Sequence, residues 1–133
     1  MSSKIKYSST ILAPISIGEL IDKITILEIK KIYMTGIKLK NINKEMKLLK
    51  NILQDKNLEI NIDLIKNLKK INKKLWEIED NIRIKESKQE FDGEFIKLAR
   101  SVYIENDKRA SIKKEINQKY NSDLVEEKSY KNY

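Results

Sequence analysis

The sequence predicts an all-α fold, a four-helix bundle-like domain formed as a single unit over residues 1–133. Two long segments carry apolar residues at alternating three- and four-residue spacing, the signature of a buried helical stripe. A third opens with a helix-start signal and is apolar almost throughout. No repeat, linker or low-complexity tract divides the chain, and its length suits one domain with one core.

Residues 1–15 read as a short extended segment, with "IKYSSTILAPI" laid against the domain. Ser16 and Glu19 then form an S-x-x-E capping box, and Ile15 and Leu20 are spaced for a hydrophobic staple. The first helix should run to about Met34 and stop near Gly36, which tolerates the left-handed conformation. Ile17, Leu20, Ile21, Ile24, Ile26, Leu27 and Ile29 leave it no wide polar face. Yet Glu19, Asp22 and Glu28 sit among them, three acids on the most apolar helix of the chain.

The second helix, roughly 38–55, repeats at Leu39, Ile42, Met46, Leu49 and Leu53. The third, roughly 61–87, repeats at Ile65, Leu68, Ile71, Leu75, Ile78 and Ile82, and would be about 39 Å long at 1.5 Å per residue. Joined by "QDKNLEI", the two predict a long antiparallel hairpin, whose stripes also admit a homodimer through residues 38–55 and 61–87. The fourth helix starts after Asp92, a good N-cap, and runs to about Lys119. Residues 120–133 form a polar C-terminal tail, in which "NSDLVEEKSYKNY" carries two tyrosines.

Composition narrows the chemistry. The chain has no cysteine and no histidine, which removes disulfides, thiolate sites, the usual general base and every His-based zinc or iron site. Any metal would be a hard cation held by carboxylates. No segment approaches the roughly 20 apolar residues of a membrane span, and the broken N-terminus does not resemble a signal peptide. A cytoplasmic protein is expected.

The net charge of +8 invites a nucleic-acid reading. However, all but three of the 28 basic residues are lysines, in a chain crowded with Ile and Asn as an AT-rich genome would encode. Solvated surface lysine is the plainer account, and nucleic acid is not the expected partner. The three arginines, Arg83, Arg100 and Arg109, gain weight in such a background, because guanidinium supplies a planar bidentate donor that lysine cannot.

The fourth helix repeats the puzzle of the first. Its stripe begins with Phe95, Leu98, Ala99 and Val102, passes through Asn106 and Arg109, then resumes at Ile112 and Ile116. A polar pair in a seam must be bonded or solvated. Either it meets the acids of the first helix, fixing register, or it lines a pocket. In "LWEIEDNIR" of the third helix, Glu79 and Asp80 are spaced for helix-surface salt bridges to Arg83, and Trp76 reads as a packing anchor. The rival from another class is a Mg²⁺ site: Glu19/Asp22 and Glu77/Asp80 are two E-x-x-D pairs that could hold a cation against a phosphate, as in helical nucleotide pyrophosphohydrolases. Those enzymes carry a denser double-glutamate motif. No Gly-rich phosphate loop or partnered nucleophile supports other catalytic schemes.

Five ordered motifs, "ISIGELIDKITILEIK", "LWEIEDNIR", "FIKLARSVYIENDKRA", "IKKEIN" and "LVEEKSY", resemble DUF6165, a family of small proteins of unknown function from bacteria and phages. The resemblance spans about residues 14–130 and implies a weak association with marine organisms and surface-polysaccharide gene neighbourhoods, but no activity. Within its motifs fall Glu19, Asp22, Lys23, Glu28, Trp76, Asp80, Arg83, Arg100, Tyr103, Asn106, Asp107 and Arg109. The candidate ligand-binding set is Glu19, Asp22, Glu28, Asp80, Arg83, Arg100, Tyr103, Asn106, Asp107 and Arg109. The expected role is a binding or accessory module for a small anionic ligand or a partner protein, without a cofactor.

Overall fold

The structure is a computed structural model that describes residues 9–133; the first eight residues of the predicted extended segment lie outside the described residues. Four helices pack together, α1 (Ile17–Tyr33), α2 (Gly36–Asp55), α3 (Ile62–Ser87) and α4 (Gly93–Lys119), with no strand among the described residues. The expected all-α bundle-like fold is what forms. Residues 10–16, ahead of α1, have neither helix nor strand.

Helix starts follow the sequence signals. Ser16 Oγ accepts from the Glu19 N–H at 3.1 Å, Asn61 Oδ1 from the N–H groups of Asp63 and Leu64, and Asp92 Oδ1 from Phe95 N–H at 3.0 Å. The stops use a device that composition hides. Asn57, Gln89 and Asn121 adopt positive φ just past α2, α3 and α4. The following N–H groups, of Leu58, Glu90 and Ser122, return to the carbonyls of Leu53, Lys85 and Asn117. These are Schellman closures made without glycine. Gly36, φ +63, takes the expected left-handed conformation, but at the start of α2 rather than beyond α1.

Helix pairing departs from expectation. α2 and α3 do not pack on each other; α1 pairs with α2, α3 pairs most extensively with α4, and α1 also packs on α3 and α4. The long hairpin predicted from α2 and α3 is therefore replaced by two hairpins, α1–α2 and α3–α4. The reason is the all-round apolar surface of α1, which receives the stripes of the other three helices. Leu27 packs with Ile42 and Met46 of α2, whereas Ile21 packs with Leu64 and Leu68 of α3 and Ile116 of α4. No helix of the described residues is long and apolar enough to cross a membrane.

The tail is not a free polar end. Ser122 Oγ accepts from the Ile17 N–H at 3.1 Å, Glu126 pairs with Lys113 at 3.1 Å, and Tyr133 donates to Asp107 at 2.7 Å while meeting Tyr103 edge-on. The tail thus runs back along α4. Ser122→Ala removes a cap from an orphan α1 N–H and is expected to cost about 1 kcal/mol, measured by denaturant unfolding; no loss would mean that water replaces the hydroxyl freely.

Candidate functional site

Two of the three acids of α1 reach α4, Asp22 meeting Arg109 and Glu19 meeting Lys113. Asp22 is fully buried. Its Oδ1 accepts from Arg109 Nε at 3.0 Å and Asn72 Nδ2 at 2.8 Å, and its Oδ2 accepts from Arg109 Nη2. Lys113 Nζ lies 3.8 Å away. Thr25 Oγ1 donates to the Asp22 backbone carbonyl and accepts from Asn72, so three helices share one knot. Hydrogen bonding to Asp22 raises the pKa of Arg109 above its ordinary value, against the opposing pull of burial. The fork geometry explains why arginine persists here in a lysine-rich chain.

Lys113, whose side chain is 9 % exposed, extends the network outward to Glu19 at 2.5 Å and Glu126. Burial works to lower its pKa, but the bonds to Glu19 and Glu126 outweigh burial and leave it raised. With Glu19 committed to Lys113, the capping box keeps only its Ser16 half. One turn on, Asn117 Oδ1 accepts the Gly18 N–H at 2.6 Å. The opening N–H groups of α1 thus end on Ser122, Asn117 and Ser16, leaving no anion-binding helix terminus there. Among the described residues every buried side-chain polar atom has a partner.

A cleft of about 440 Å³ opens beside the closed knot. Ile26 and Ile29 of α1, Leu75 and Trp76 of α3 and Asn106 of α4 line it, together with Glu79, Asp80, Arg83 and Arg109. The Arg109 side chain is 28 % exposed. Its Nη1 bonds Asn106 Oδ1 at 3.4 Å, a long contact. Trp76 stacks on Tyr33 with ring centroids 5.2 Å apart.

Several sequence-derived candidates lie outside the knot. Arg83 is exposed and only 3.6 Å from Glu79, and no ion pair joins it to Asp80. Arg100 is exposed on α4, away from the knot. Neither makes the bidentate contact expected of a retained arginine, because each projects from the hairpin surface and not into the seam. Glu28 pairs with Lys69 at 2.7 Å, and Tyr103 and Asp107 face the tail. The four acids of the Mg²⁺ reading do not converge: Asp22 is spent on Arg109 and Asn72, Glu77 is exposed, and Asp80 belongs to the cleft. No group of three acids among the described residues could hold a metal ion.

Sequence reasoning missed Asn72, Thr25, Lys113, Asn117 and Ser122. Asn72 had a readable signal, lying four residues after Leu68 on the α3 stripe. Glu105 was also missed: its side chain is 5 % exposed, held by Lys74 at 3.0 Å and Lys108 at 3.1 Å. Burial raises its pKa, but the two lysine bonds dominate and leave it below the ordinary value of 4.5. A depressed carboxyl pKa contributes stability above the unfolded value that is lost as pH falls through the folded one. Glu105→Gln is therefore expected to flatten the stability profile below about pH 4.5, and an unchanged acid limb would contradict this.

Comparison with protein families finds a match over residues 11–133 to DUF6165, a family of unknown function. The chain belongs to this family. The family match covers all four helices, the polar knot and the docked tail, so the resemblance seen in the motifs extends to the whole described fold. No curated protein and no solved structure matches the chain.

Proposed function

We propose that this DUF6165 member is a binding module whose recognition surface is the cleft between Trp76, Arg83, Asn106 and Arg109, and that it takes a small molecule with an anionic end. One observation carries this reading. Asp22 engages Arg109 through Nε and Nη2, which leaves Nη1 and Asn106 joined only by a long contact on the cleft wall. Arg83, loosely held by Glu79, stands at the same cleft. Donors fixed in place before binding spare the ligand much of the ordering cost. Trp76, Leu75 and Ile26 supply an apolar surface for the rest of the molecule, as small-molecule sites commonly do. Glu79 and Asp80 favour a ligand that carries a hydroxyl or amine away from its anionic group, and disfavour a plain dianion.

The test is thermal shift with a panel of small carboxylates and phosphate monoesters that carry a hydroxyl or amine away from the anionic group. A compound at a hundred times its Kd should stabilise the protein by about 2.7 kcal/mol. Arg83→Ala, at an exposed position, should leave the unliganded melting temperature nearly unchanged while abolishing the shift. No shift with any member of the panel at millimolar concentration would overturn the reading.

A further inference from the structure

A second concavity, about 500 Å³, lies at the other end of α1. Ala13, Pro14, Ile15 and Leu20 form one side, Ile52 of α2 and Leu124 of the tail the other. Immediately before it, Ile11 and Leu12 are each 91 % exposed. Two adjacent large aliphatic side chains held almost wholly in water, next to an apolar groove, are an unpaired surface. Ala13 precedes Pro14 and is confined to extended backbone, and in their own chain Ile11 and Leu12 stand outside the groove that Ala13, Pro14 and Ile15 line.

We propose that two copies of this chain pair about a two-fold axis by exchanging this arm, Ile11 and Leu12 of each copy entering the groove of the other. About a two-fold the exchange is reciprocal, each copy giving one arm and receiving one, so it closes at two subunits. The rim is self-complementary in charge. Lys56 and Asp123 line the same groove, and neither has an ion pair among the described residues. A two-fold that brings Lys56 of one copy to Asp123 of the other makes that pair twice. Opposed charges at an interface fix register more than they add affinity. The backbone of residues 10–15 has no hydrogen bond to the described residues, so the arm is free to be accommodated as it stands.

Light scattering on the full chain, over a series of concentrations, tests the exchange. The expected mass is near twice the 15.7 kDa chain. The double substitution Ile11→Asp, Leu12→Asp should give a monomer that keeps its helical circular-dichroism signal, because the arm is outside the core. Ile52→Glu in the groove should also give a monomer. Mixing the two variants should restore a dimer, since one intact arm then meets one intact groove. A monomeric wild type at every concentration, variants that remain dimeric, or a mixture without dimer would each overturn the proposal. An Ile52→Glu variant that stays dimeric while the arm variant is monomeric would point to arm–arm pairing in place of arm–groove exchange.

Discussion

Arg109→Ala is expected to destabilise the fold by about 3 kcal/mol, the lower part of the range for breaking a buried ion pair. The loss comes from the partner left behind. Asp22 is fully buried, and without Arg109 it keeps Asn72 as its close donor and Lys113 at 3.8 Å. Lys113 moderates the effect but cannot remove it, because it is already committed to Glu19 and Glu126. For a domain of this size the fall in melting temperature should be about 10 °C. Arg109→Lys keeps the charge and loses the two-pronged contact, so it should fall between wild type and alanine. An alanine variant that melts with wild type would mean that the knot does not hold the helices together. Such a result would make Arg109 purely a cleft residue. Because both roles meet in this side chain, Arg83 and not Arg109 is the residue with which to test binding.

Gly18→Ala should move stability in the direction opposite to helix propensity. In an open helix interior the change is favourable by up to about 1 kcal/mol. Here a Cβ at residue 18 would stand 2.5 Å from the Lys113 carbonyl oxygen and 3.0 Å from Asn117 Oδ1. The first is α4 backbone, which a side-chain rotation cannot clear. α1 and α4 would have to separate, stretching the Gly18–Asn117 and Glu19–Lys113 contacts together. Overpacking of this kind typically costs about 1–3 kcal/mol, and the strained bonds place the expected loss at the upper end. Denaturant unfolding of the single variant measures it. A stabilised Gly18→Ala would show that the two helices do not approach so closely.

Both effects were only partly legible before the fold was known. Apolar spacing and N-caps delimit α1 to α4 because those signals act within about a turn of helix. The same periodicity places Asn106 and Arg109 in a seam and Asp22 in an apolar helix, so a meeting of this seam with an α1 acid was one of the two outcomes the sequence allowed. Lys113 was obscured by composition: one buried lysine among so many solvated ones carries no local mark. Its role depends on Glu19 from α1 and Glu126 from the tail, which lie far away in the sequence. Asn57, Gln89 and Asn121 as helix stops were likewise concealed, since glycine is the residue that ordinarily announces such a turn.

By itself the sequence determined the all-α class, the four helices and the presence of acids on the apolar α1 and of Asn106 and Arg109 on the α4 stripe, while the pairing of Asp22 with Arg109 came from the fold. The tertiary structure alone decided that α1–α2 and α3–α4 are the hairpins, that Arg83 and Arg100 stay outside the knot, and that the tail docks on α4. The division follows from range. Helix formation is governed by neighbours three and four residues apart, whereas pairing depends on which stripes compete for the same apolar surface. In this chain α1 offers that surface on every side, and α2 and α3 each take a share of it instead of pairing with one another.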